Sequence, residues 1–280
     1  MRRLLRSIGR VLTAPFRLAA RPFRAVARFL NQEPEDISTG DVLTRTLENP
    51  GALLEHLQAL RGHLLRGLLA LAVATGVSFA FADQVLDWMA GPVGGIGALQ
   101  AIEVTESVAA FMRVSLLSGL TLAFPYLTLE AFAFVNPGLR RRERITLLVL
   151  IPLGTAMFVA GLLFARYVML PVAVPFLTSF LGITTVPRPA NYIHFVTTVM
   201  FWVGVAFEFP LLSFALATLK VLDARTMLRG WKVAVVGIAL AAAVITPTPD
   251  PVNMALLMAP LLGLYFLGVV FAGLARRGRR

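Results

Sequence analysis

The 280 residues are 58% hydrophobic and 15% charged, with a mean hydropathy of +0.78, which excludes an ordinary soluble globular domain. No cysteine is present, so a disulfide framework, a thiolate nucleophile, an Fe–S cluster and a cysteine-ligated zinc are excluded. The formal net charge of +11 does not indicate a nucleic-acid partner, because the basic residues flank apolar runs instead of gathering on one polar face.

Residues 1–31 hold eight arginines and no acid. Arg3, Arg6, Arg10, Arg17, Arg21, Arg24 and Arg28 recur at helical steps between Leu4, Ile8, Leu12, Phe16 and Phe23, interrupted by Pro15 and Pro22. This pattern predicts a basic amphipathic extension lying on anionic lipid; a transit peptide is the alternative, although serine is scarce. Residues 32–52 read as a polar linker.

Six apolar runs follow, Leu64 to Phe81, Ser107 to Val135, Ile145 to Phe176, Phe195 to Leu219, Val233 to Ile245 and Asn253 to Ala275. They predict an all-α integral membrane protein with six transmembrane helices over residues 53–275 and a basic tail at 276–280. About 20 apolar residues cross a bilayer, so the fifth run is short and must borrow flanking residues or thin the membrane. Pro125, Pro152 and Pro210 predict tilt or kinks in the second, third and fourth spans. Of the 26 Lys and Arg, 23 lie in the N-terminal segment up to Arg66, in 136–144, in 220–232 and in 276–280, whereas the alternate loops hold only Arg188. By the positive-inside rule both termini face the cytoplasm.

No Gly-rich phosphate loop, HExxH or GxSxG motif is present, so neither an enzyme nor a cofactor is expected. His56 and His63 lie seven residues apart on one helix face, but two imidazoles without a third ligand are read as interfacial, as is His194, and no metal site is expected. Arg113 and Arg166 lie near the outer ends of the second and third spans and read as snorkelling side chains. Glu208 is different. Thirteen residues into the fourth run it sits near the membrane midplane, too deep to snorkel, and needs a polar partner, a proton or a cavity. Glu130 lies near the inner end of the second span, where partial solvation is expected.

These residues resemble a family. Leu54-Glu55-His56-Leu57-Gln58-Ala59-Leu60-Arg61 is similar to the amino-terminal motif of the TatC family, usually His-Leu-x-Glu-Leu-Arg, and here the usual carboxylate is Ala59. Phe134, Pro137-Gly138-Leu139 and Glu143-Arg144 resemble its first cytoplasmic loop, Phe207-Glu208-Phe209-Pro210 its fourth helix, and Thr246-Pro247-Thr248-Pro249-Asp250 its last outer loop. The resemblance implies the receptor core of a translocase that exports folded proteins bearing twin-arginine signal peptides, driven by the protonmotive force. TatA- and TatB-type single-span partners and more than one copy of the chain would complete the complex, in the plasma membrane of a prokaryote. Signal-peptide binding is then expected of Glu143, Glu55, Phe134, Pro137 and Arg61, with Glu130 a weaker candidate. A partner-helix site is expected at Glu208 and Pro210, and an outer-loop motif at Pro249 and Asp250. The competing class is a secondary transporter using Glu208 as a proton or cation site, for which broken helices at midplane and paired halves would speak.

Overall fold

The computed structural model describes residues 50–135, 141–179, 185–246 and 251–277, with side chains at 57–134, 149–179, 185–246 and 251–275. Among the described residues the regular elements are helical: α1 Pro50–Ser78, α2 Ala82–Ala90, α3 Glu106–Val135, α4 Arg141–Phe164, α5 Leu170–Thr178, α6 Pro189–Phe207, α7 Phe209–Thr218, α8 Ala224–Arg229, α9 Trp231–Ile245 and α10 Pro251–Arg277. One wider turn, Ala165–Met169, joins α4 to α5 as the third span, and α6 with α7 forms the fourth. The extension expected at 1–31 lies outside the described residues, as do residues 32–49 of the linker and the end of the basic tail.

Five spans are long and apolar enough to cross a bilayer, Leu57–Ser78, Glu106–Phe134, Val149–Thr178, Pro189–Thr218 and Pro251–Ala275. The sixth apolar helix is the shorter Trp231–Ile245. Its 15 residues rise only about 22 Å against about 30 Å of hydrocarbon, as the short fifth run predicts. Pro125 and Pro152 are carried inside continuous helices. Pro210 is not: it lacks an N–H and its ring crowds the carbonyl four residues back, so the helix yields at Glu208. There the Glu208 N–H turns to the Val205 carbonyl at 3.1 Å, and Leu212 resumes the ladder by donating to the Glu208 carbonyl at 2.9 Å.

α1 packs along α3, α3 also touches α4 and α6, and α4 lies against α6. The first span is otherwise open to its surroundings, with few of its residues buried. At the centre, fully buried Phe158 stacks on Phe124 with centroids 4.1 Å apart and planes 11° from parallel. The third and fourth spans cross where Gly161 meets Gly204. A Cβ on Gly161 would stand 2.7 Å from the Gly204 Cα, so the absence of side chains permits the backbone approach from which membrane helices draw packing energy. A second, smaller core gathers Met227, Tyr265, Val269 and Ala272, and there the Tyr265 hydroxyl donates to the Met227 carbonyl at 2.6 Å. α7 and α9 complete this unit against α10.

The loop between the first and second spans carries a helix of its own. Residues 82–90 form α2, which turns buried Met89 and Ala90 toward the main core.

Candidate functional site

The densest polar cluster joins the N-terminal half of α1 to the C-terminal end of α3. His63 and Arg66 are three residues apart and Tyr126 and Glu130 four apart, so each pair shares one helix face. The antiparallel packing of α1 on α3 brings the two faces together. Glu130 is buried and accepts from Arg66 Nε at 2.9 Å and Nη2 at 3.1 Å, from the Tyr126 hydroxyl at 2.6 Å and from His63 Nδ1 at 2.6 Å. With Nδ1 so near the carboxylate, the ring carries its proton there and donates. A buried carboxylate is tolerated because donors and a positive charge replace the lost water. The partial solvation expected of Glu130 is thus corrected: hydrogen bonds occupy both of its oxygens.

Phe134, one turn beyond Glu130, sets its ring edge-on to His63 with centroids 6.0 Å apart. Arg61 is exposed on α1, and Ala59 is exposed one turn before His63 on the same face. Glu55 falls in the first turns of α1 and Glu143 in the first turn of α4; both lie outside the described side chains. Pro137, Pro249 and Asp250 lie outside the described residues. Of the expected signal-binding residues, the structure therefore brings Phe134 to the cluster and leaves Arg61 exposed on α1, away from the face that carries His63 and Arg66. His63, Arg66 and Tyr126 had not been singled out for this site. Their signal in the sequence is the pair of three- and four-residue spacings at facing ends of consecutive spans.

The second feature is the break at Glu208. Its carboxylate lies over Gly154 of α4, where a Cβ would stand 3.1 Å from Oε2, and its buried Oε1 has no hydrogen-bond partner. The fourth span begins at Pro189, six residues before the expected start, so Glu208 sits some 7 Å beyond its centre rather than at it. Beside the break, Trp202, Val205, Phe209, Ile238, Leu261 and Tyr265 line an apolar groove of about 350 Å³ between α6, α7, α9 and α10.

At the opposite end of the bundle three arginines are fixed by partners. Arg113 Nη1 donates to His194 Nδ1 at 2.5 Å, tying α3 to α6. Arg166 donates from Nε to the Trp88 carbonyl at 2.9 Å and lies over the Trp88 and Tyr167 rings, 5.3 Å from each centroid, so it anchors α2 to the third span. These contacts correct the snorkelling reading of both residues, whose partners could not be seen without the packing. Arg188 donates to Glu106 and, at 3.1 Å, to Glu103. These bonds hold its guanidinium charge more firmly than in an ordinary arginine. Among the described residues no group of three His, Cys, Asp or Glu stands together to hold a metal ion.

The family model described as "Sec-independent protein translocase protein (TatC)" matches residues 55–260. The chain belongs to the TatC family. It is 36% identical over 233 residues to the TatC protein of Deinococcus radiodurans, covering 80% of this chain and 86% of that one. It is 31% identical to TatC of Synechocystis, covering 86% and 91%, and 34% identical to a chloroplastic TATC of Arabidopsis thaliana, covering 80% and 67%. The crystal structure of a twin arginine translocase receptor TatC superposes with a TM-score of 0.70 at 27% identity, over 79% of this chain and 99% of that chain. The multi-span helical membrane fold and the translocase function follow from membership, and TatC is not an enzyme family. The transporter alternative has no support. The break at Glu208 is a feature that a transporter would share, but no second broken half accompanies it among the described residues.

Proposed function

We propose that this TatC family member is the receptor core that binds twin-arginine signal peptides and, with TatA- and TatB-type partners, exports folded proteins using the protonmotive force. The observation that carries the reading is the convergence of α1 and the end of α3 on one cluster, with Phe134 at its edge and the segment leading to Glu143 directly after it. A planar guanidinium is best recognised by carboxylates and a flanking aromatic. Glu143 supplies one acceptor. Glu55, one turn before Ala59, supplies a second, and Phe134, Pro137 and Arg61 contribute further to signal-peptide binding. Glu208 and Pro210 receive a partner's helix at the break, and Pro249 and Asp250 form the outer-loop motif.

The arginine-rich loops support an orientation with this end and both termini in the cytoplasm, and the chain in the inner membrane of a prokaryotic cell. The arginine-rich, acid-free sequence of residues 1–31 suits them to bind anionic lipid, and several copies of the chain would assemble in the working complex.

Affinity for a twin-arginine signal peptide and its twin-lysine counterpart tests the reading. The chain should prefer arginine, and Glu143→Gln should weaken binding about tenfold, as expected for loss of one charge-assisted acceptor. Equal binding of the two peptides by the unaltered chain would overturn it.

A further inference from the structure

We propose that Glu130 is itself a guanidinium-binding site for a signal-peptide arginine, and that Arg66 occupies it in the resting chain as an internal stand-in. The proposal rests on the receptor reading above.

Arg66 gives Nε to one carboxylate oxygen at 2.9 Å and Nη2 to the other at 3.1 Å. This two-pronged arrangement is the one by which carboxylates bind arginine in general. The acceptor is built independently of its occupant. Tyr126 holds Oε1 and His63 holds Oε2, each at 2.6 Å, so Glu130 keeps two hydrogen-bond donors when Arg66 leaves, and the incoming guanidinium restores the positive charge that a buried carboxylate needs.

The two partners differ in freedom. The Glu130 side chain is 10% exposed and that of Arg66 52%, so the carboxylate is a fixed receptor and the arginine a removable cover. Replacing Arg66 by an incoming arginine conserves the charge and both hydrogen bonds, and it releases Arg66 toward the surface from which it already emerges. Room for an incoming chain lies next to the cluster: Ala59, one turn earlier on the same face, presents only an exposed methyl, and Phe134 forms an apolar wall beside His63. A lysine ammonium is a point charge that cannot span both oxygens in this way, so the site selects arginine.

The test uses the full-length protein in nanodiscs with labelled twin-arginine and twin-lysine signal peptides. Arg66→Gln should bind the twin-arginine peptide about three- to tenfold more tightly, because the internal competitor is gone, with little gain for twin-lysine. Arg66→Lys, which keeps the charge but not the fork, should show a smaller gain in the same direction. Glu130→Gln should lose about tenfold, and Arg66→Gln should bring no gain in that background.

If Arg66→Gln and Arg66→Lys melt like the parent but bind as the parent does or more weakly, Arg66 is only a clamp between α1 and α3 and the proposal is wrong. Should Glu130→Gln fail to fold, the two Arg66 variants still decide. Failure of the wider reading looks different: the unaltered chain would then not distinguish the two peptides. Loss of binding in Glu143→Gln with parental binding in every Arg66 and Glu130 variant would leave the receptor reading standing and overturn this one.

Discussion

Arg188, the residue before the fourth span, donates to Glu106, the first residue of the second span, and so closes one end of the bundle between segments 82 residues apart in the chain. Glu106 is 3% exposed, so its charge depends on that partner for compensation. Arg188→Ala should lower the melting temperature in detergent and reduce accumulated protein severalfold. The exchange of Arg188→Glu with Glu106→Arg should restore part of the loss. Melting curves of the three proteins check this, with unchanged melting in Arg188→Ala as the contrary result. Since its partners hold the Arg188 guanidinium charged more firmly than in an ordinary arginine, the effect should be the same at pH 6 and pH 8.

The glycine crossing of the third and fourth spans predicts sensitivity to single methyl groups. A Cβ on Gly204 would stand 2.8 Å from a ring carbon of buried Phe158, and Phe158 cannot retreat because Phe124 is stacked on its other side. Gly204→Ala and Gly161→Ala should each destabilise by about 1–3 kcal/mol through overpacking. Gly237→Ala, where a Cβ meets nothing within 4 Å, should be neutral. Thermal melts of the three variants, read against one another, provide the comparison.

Glu208 predicts a functional loss without a folding loss. Its Oε1 makes no hydrogen bond in the isolated chain, so removing the carboxylate breaks no internal bond at that oxygen. Glu208→Ala should leave the protein inserted and abundant while export of a twin-arginine reporter, or crosslinking to single-span partners, falls about tenfold. Disappearance of the variant from membranes would show that the group is structural. Gly154→Ala should give a milder form of the same phenotype, because its methyl would press on Oε2 from 3.1 Å.

Orientation follows from charge and is checked by chemistry. In this cysteine-free chain, single cysteines replacing Gly95 and Thr185 should react with an impermeant thiol reagent added to intact cells. One replacing Arg141 should react only after lysis. Labelling of the Arg141 site in sealed cells would invert the topology.

Hydropathy alone located every span, because apolar length is set by the bilayer rather than by the fold. It also marked the short α9; of the three prolines expected to tilt or kink their spans, Pro210 is the one beside which the helix breaks. What escaped was everything that depends on how spans meet. His63 and Glu130 are 67 residues apart and Arg113 and His194 are 81, and no periodicity within one segment says which faces will touch. Arg166 was misread for a related reason. Its acceptor belongs to α2, a nine-residue helix too short to announce itself by pattern, and without α2 the arginine has only water to reach for. Glu208 stood out because a carboxylate deep in an apolar run is unusual wherever its neighbours lie, whereas Phe134 was expected only from the resemblance to the TatC family.

The break at Glu208 is also a boundary between two packed bodies. α6 is committed to the main core, with Ile193, Val196, Met200 and Val203 buried in it, whereas Ala217 at the far end of α7 belongs to the small core around Tyr265 and Val269. The fourth span is therefore a shaft whose two halves bear on different cores, with its break between them. α7 is 10 residues, about 15 Å long, so a bend of roughly 10° at the joint carries its far end about 2.6 Å. Such a bend acts on the groove walled by Trp202 and Val205 on one side of the joint and by Phe209, Ile238 and Tyr265 on the other. The groove's width is thus a readout of the joint angle, and any helix that lodges there acts on the angle in return.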